Sequence, residues 1–143
     1  MKSFYAAAAK MIDVLPYLLV PFVDRGRNWD GCDCWGMVRL IARYEYGLDY
    51  PALDGRYATS DDGGAVGALI EAERDNWQPI EHGTERGGDF VTLAVRGSEA
   101  HVGTVLEPGL MLQTIKTTGP VVASYKRNPW RKRVREFYRW KAA

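Results

Sequence analysis

The chain is poor in the residues that bind metals or cross-link a fold. Its 143 residues include two cysteines and two histidines. Cys32 and Cys34 stand two positions apart, where a bridge would close a strained ring, and no other thiol is available, so a disulfide framework is excluded. Two thiols with His82 and His101 do not follow a zinc-site spacing, and neither a metal nor another cofactor is expected. Net charge is also scarce: a formal +1 supplies no global field towards nucleic acid or an anionic membrane. No apolar run reaches the roughly 18 residues of a spanning helix. Near the start, Lys2, Ala6 to Ala9 and the run from Val14 to Val20 imitate a signal peptide. Lys10, Asp13 and Pro16 interrupt it, and no small-residue cleavage site follows. The expectation is a short amphipathic helix ending before Pro16, in a protein made in the cytoplasm without a secretion signal of its own. Repeats, low-complexity segments and long linkers are missing too, so residues 1–143 are read as one domain, long enough for a core of useful size.

What is present centres on Gly31-Cys32-Asp33-Cys34-Trp35-Gly36-Met37-Val38-Arg39-Leu40. Asp33 is a good N-cap, since its carboxylate can accept free amide hydrogens of the next turn. Met37, Leu40, Ile41 and Tyr44 then recur at helical spacing, and Gly47 supplies a stop after Tyr46. This places Cys34 in the first turn, where unpaired amides and the positive end of the helix favour a thiolate. Cys34 is expected to be partly exposed and reactive, and Cys32 to be a small packing residue.

The loop from Pro21 to Gly31 is rich in turn residues, and Leu48-Asp49-Tyr50-Pro51 leaves the helix in extended form. Residues Asp54 to Gly64 read as loop and Ala65 to Trp77 as a second helix, with Trp77 on its inner face. Beyond Pro79 the period changes to that of strands: Asp89 to Val95, His101 to Leu106, Leu110 to Ile115 after a Pro108-Gly109 turn, Val121 to Tyr125, and Arg133 to Trp140. Helices followed by four to five short strands indicate an α+β domain with an antiparallel sheet.

A nucleophilic thiol needs a base. His101 opens a strand, whereas His82 lies in a polar loop with weak positional constraint and reads as a bystander. A hairpin centred near Pro108-Gly109 brings Gln113 beside His101, and its amide oxygen can orient an imidazole without charge.

These residues resemble the NlpC-type cell-wall peptidases, which are papain-like cysteine hydrolases. The resemblance lies in Asp33-Cys34-Trp35-Gly36, then His101-Val102-Gly103, then a polar residue at Gln113. It is closest to the phage and prophage tail-associated branch, through Pro21-Phe22-Val23, Gly26-Arg27, the Tyr46-Gly47 to Pro51 helix exit, the Gly88-Asp89 step and the aromatic, basic ending from Trp130 to Trp140. It covers about Tyr17 to Trp140; residues 1–15 have no counterpart in it. Phe22 stands where many members carry a tyrosine, and Gln113 where many carry His or Asn. The resemblance implies Cys34 as nucleophile, His101 as base and Gln113 as orienter. It also implies a papain-like NlpC-type fold with the nucleophile at a helix start, and a substrate in the stem peptide of bacterial peptidoglycan, cut between γ-linked D-glutamate and the diamino acid.

Three functions compete on this reading. The first is a cysteine peptidase carried in a phage or phage-like tail and acting in the host periplasm or cell wall. The second is a structural tail-tip subunit with little catalysis, and the third a papain-like acyl transferase or amidase. Arg25, Arg27 and Arg39 are candidates for attracting substrate carboxylates. Between Lys126 and Lys141 there are eight Lys or Arg against Glu136 alone. Strict alternation in Arg133 to Trp140 puts Val134, Tyr138 and Trp140 on one face and the arginines with Phe137 on the other, as an arginine-lined sheet edge. Tail-tip proteins or anionic wall polymer are the partners this stripe suits; nucleic acid is not expected.

Overall fold

A computed structural model describes residues 12–53, 74–95 and 98–141. The helix expected over Ala65 to Trp77 falls mostly outside them, but Trp77 itself opens a strand. Among the described residues two α-helices come first: a single turn, α1 (Leu15–Leu18), and the long α2 (Cys34–Tyr46). Between them β1 (Arg27–Asn28) and β2 (Gly31–Cys32) form a small hairpin. A main sheet of six antiparallel strands follows: β3 (Trp77–Ile80), β4 (Phe90–Val95), β5 (Ser98–Glu107), β6 (Leu110–Ile115), β7 (Gly119–Ser124) and β8 (Val134–Trp140). Their spatial order is β3-β8-β4-β5-β6-β7. The α+β architecture is the one expected, with one strand more than the sequence indicated.

The extra strand, β3, contains Pro79. Proline cannot donate to a ladder, and it is tolerated here because, among the described residues, β3 is an edge paired with β8 alone. This corrects the reading of the basic ending, since β8 lies between β3 and β4 and is not an edge. The strict alternation fails as well. A register shift between Thr92 and Leu93 pairs Thr92 with Glu136 but Leu93 with Val134. That bulge turns Val134 to the face of Phe137, and Tyr138 and Trp140 stay on the other.

The amphipathic helix expected to end before Pro16 falls mostly on residues 1–11, outside the described ones. The described turn α1 contains Pro16 at its start, where the missing amide hydrogen costs nothing. In α2 the caps are those read from the sequence: Asp33 accepts from the Gly36 amide, and Gly47 closes the helix with a left-handed φ of 67°. Met37, Leu40 and Ile41 are buried as expected, whereas Tyr44 is exposed and meets Trp29 edge-on at 5.2 Å.

α2 covers one face of the main sheet. Trp35, Val38 and Ala42 pack there with Tyr50, Trp77, Phe90, Val102 and Tyr138. Met37, Leu40 and Ile41 meet Leu112, Tyr17 and Val20 beside them. On the opposite face Val91, Leu93, Val105, Met111, Tyr125 and Phe137 form a second layer, with Trp130 and Val134 packed against it.

Candidate active site

Asp33 organises the helix start. Its Oδ1 accepts from the Gly36 amide at 2.9 Å and from Arg27 Nη1 at 2.7 Å, and its Oδ2 accepts from the Arg25 amide at 3.2 Å. One fully buried carboxylate thus caps α2 and clamps the preceding loop to it. Gly36 completes the join, because a Cβ there would collide with the Gly26 carbonyl oxygen. Arg27 also donates from Nε to the Ala52 carbonyl at 2.7 Å, and Arg39 donates from Nε to the Tyr50 carbonyl at 2.9 Å. Two of the three arginines read as substrate-attracting are thus engaged in holding the fold together; Arg25 is exposed.

Cys34 is the first residue of α2. It is only 2% exposed, against the expectation of a partly exposed thiol. The amides of Val102 and Trp35 donate towards its sulfur and, with Arg27, favour the thiolate, as argued for a helix start. Burial acts more strongly and Asp33 adds to it, so the thiol is pushed up to about 12. The helix-start argument therefore has the right sign and loses on magnitude: desolvating an anion outweighs two amide dipoles. Cys32 is the packing residue expected, fully buried, with its sulfur 3.3 Å from the Asn28 carbonyl.

His101 and Gln113 meet as expected, but diagonally and not side by side: Thr104 pairs with Leu112, which sets Gln113 opposite Gly103. Nε2 of His101 lies 2.9 Å from Oε1 of Gln113. An amide oxygen only accepts, so Nε2 carries the proton and Nδ1 is left with a free lone pair. His101 is 5% exposed, and burial pushes its pKa down to about 4; the Gln113 bond opposes that shift and Arg133 adds to it. The resting pair at neutral pH is accordingly a thiol and an uncharged imidazole. Val102, the neighbour of His101 on β5, is the residue whose amide faces Cys34. The β5–β6 ladder runs from Thr104 paired with Leu112 to Glu107 paired with Leu110, so the thiol meets β5 at a position outside that pairing.

Other features were not legible in the sequence. Trp130 stacks on His101, with ring centroids 5.4 Å apart and planes at 23°. The Arg133 guanidinium stands over that indole, 5.4 Å from its centroid. No spacing rule links residue 130 to residue 101; only their aromatic character hinted at a contact. His82, the bystander, is exposed and lies edge-on to Phe137 at 5.0 Å. Among the described residues no cluster of three or more His, Cys, Asp or Glu is arranged to hold a metal ion.

Residues 20–139 match the NlpC/P60 family. The chain belongs to that family. Comparison with curated protein sequences finds no match. Among solved structures, the chain is similar to a lipoprotein-like protein of the NLP/P60 family from Staphylococcus aureus subsp. aureus Mu50, with a TM-score of 0.64 and 16% identity. That alignment covers 99% of this chain and 42% of the staphylococcal one, so the present chain spans less than half of that protein's length. It is also similar to the NlpC/p60 domain of the peptidoglycan hydrolase SagA, with a TM-score of 0.60 and 19% identity over 92% of this chain and 95% of that domain. At these identities the two structures establish a shared fold, and the family match carries a cell-wall peptidase kind of function.

Proposed function

We propose that this domain is a cysteine peptidase of the peptidoglycan endopeptidase type, with Cys34 as nucleophile, His101 as base and Gln113 as orienter. The observation that carries the reading is the 2.9 Å bond between His101 Nε2 and Gln113 Oε1, which reserves Nδ1 for the thiol proton. As the substrate carbonyl approaches, Nδ1 takes that proton and the sulfur attacks the carbonyl carbon. The C–N bond breaks, with the amine leaving after it accepts the proton from imidazolium, and water then hydrolyses the thioester with His101 again as base. The backbone amide of Cys34 at the start of α2 is placed to hold the oxyanion. The substrate is the peptide stem of peptidoglycan, cleaved between γ-linked D-glutamate and the diamino acid.

Delivery by a phage or phage-like tail is supported by the likeness of the Pro21 to Gly36 segment and of the aromatic, basic ending to the tail-associated branch. A second reading, a tail-tip subunit with little catalysis, is favoured by one observation, the near-complete burial of both Cys34 and His101. Mass spectrometry of defined muropeptides separates the two. The wild type is expected to release two fragments from each stem peptide and Cys34→Ala to release none; an intact substrate with both proteins leaves the structural reading in place.

A further inference from the structure

Three features of the molecule are unused by the reaction: the exposed Trp29 and Tyr44 rings beside buried Tyr17, the buried Glu85 and Tyr125 pair, and the turn that carries Trp130. Nothing beside the aromatic cluster says what would cover it. Tyr125 donates to Glu85 at 2.6 Å, which accounts for that pair structurally. The turn at Trp130 is different, because it touches the candidate base and no part of the reaction as drawn uses it.

We propose that Trp130 is a positioning residue for His101: its indole holds the imidazole plane and keeps water from the His101–Gln113 hydrogen bond. This rests on the reading of His101 as the base. Trp130 opens a short 3-10 turn, Trp130–Lys132, between β7 and β8. The turn is tied down on two sides, by the Arg133 amide donating to the Trp130 carbonyl at 2.8 Å and the Ala94 amide donating to the Arg133 carbonyl at 2.7 Å. The indole lies nearly parallel to the imidazole, at 23°, and packs against the layer containing Val91 and Leu93. Arg133 stands over the indole, a cation–π contact that disfavours rotation of Trp130 away from the site.

The chemistry explains why such a cover is needed. A carboxylate orienter would hold a histidine through charge; Gln113 is neutral, and its single bond to Nε2 competes with water. Excluding water strengthens that bond, because the local dielectric falls. A ring free to tilt would carry Nδ1 away from the thiol, and small misplacements of a base are costly in rate. Trp130 acts through His101 and touches neither sulfur nor substrate.

The test uses the whole chain, labelled with 15N-histidine. Only two imidazoles contribute, and His82→Gln assigns them. In the wild type the Nε2 proton of His101 is expected to exchange slowly with water and to be visible by NMR at neutral pH. In Trp130→Ala that signal is lost or exchanges at least tenfold faster, and Trp130→Phe, which keeps a stacked ring, retains it. In muropeptide hydrolysis, Trp130→Ala lowers kcat by about tenfold with KM nearly unchanged, the size expected when a base is misdirected but still present. A slow Nε2 proton in Trp130→Ala, or equal loss in the Ala and Phe variants, overturns the proposal. The NMR arm does not depend on turnover. A wild type that cleaves no muropeptide therefore overturns the peptidase reading alone, and the exchange rates still decide the role of Trp130.

Discussion

Asp33 shows how one buried side chain can serve two elements. Its ion pair with Arg27 is almost wholly removed from solvent, with side-chain exposures of 0% and 10%. Deleting one partner of such a pair leaves the other unpaired, which costs about 3–5 kcal/mol. Asp33→Ala is therefore expected to lower stability by that order in chemical denaturation. Asp33→Asn, which keeps the capping oxygen, should cost distinctly less; equal losses would mean that the ion pair matters more than the cap. The cap was legible in the sequence because Asp at an N-cap is a local rule. The pairing with Arg27 was not, because it depends on the β1–β2 hairpin folding back over the helix start.

At the same scale, burial sets the pH behaviour. The thiol of Cys34 is pushed up to about 12 and the imidazole of His101 down to about 4. His101 binds a proton more readily in the unfolded chain, so its contribution to stability is complete above its ordinary value of 6.5 and falls away as the pH drops towards 4. Cys34 ionises more readily in the unfolded chain, so its contribution is complete below its ordinary value of 9.0 and falls away as the pH rises towards 12. Denaturation at a series of pH values should show both slopes, and Cys34→Ala should reduce the alkaline one without abolishing it, because burial pushes Cys32 up to about 12 as well. Alkylation by iodoacetamide at pH 7 is expected to be slower for Cys34 than for a free cysteine. A faster reaction would restore the thiolate that the helix start alone suggested.

Among the elements, β5 and β6 carry the proposed base and its proposed orienter, and Gly103 sets their spacing. A Cβ at residue 103 would lie 3.0 Å from Met111 Sδ and 3.3 Å from Gln113 Cβ. The thioether end can give way; the Gln113 Cβ is close to the backbone and cannot do so freely. Gly103→Ala is therefore expected to cost about 1–3 kcal/mol, the range for overpacking, and to lower kcat by displacing Gln113. Retained activity with full stability would show that the hairpin has slack at this point. That His101 and Gln113 share a face of the hairpin could be read from turn chemistry, but their register could not: with Thr104 paired to Leu112, Gln113 falls opposite Gly103 and reaches His101 diagonally. The faces of β8 could not, because a bulge leaves no mark in a pattern of alternating residues. Nor could β3, whose proline argues against a strand unless its edge position is already known.

For the whole molecule, the basic ending divides into two parts. Arg139 grips Asp89 with Nε at 2.8 Å and Nη2 at 2.9 Å, tying β8 to the Gly88-Asp89 step ahead of β4, and Arg133 stands over Trp130. Arg131 and Arg135 are exposed. Replacing those two together by Ser should leave hydrolysis of small soluble muropeptides nearly unchanged and weaken binding to intact sacculi, most clearly at low salt where screening is least. Unaltered sacculus binding would remove this stripe from the account of docking.

The aromatic core beneath α2 has a further use. Trp35 and Trp77 lie 5.6 Å apart, Trp77 and Trp140 lie 6.3 Å apart, and Tyr50 stacks on Trp35 and Trp140 at 5.8 and 5.1 Å. Indoles this close share their electronic excitation, so the folded chain should give an exciton couplet in circular dichroism and a depolarised emission that unfolding abolishes. The three indoles come from α2, the proline-bearing strand β3 and the last strand β8, so one unlabelled optical signal reports whether all three have closed together.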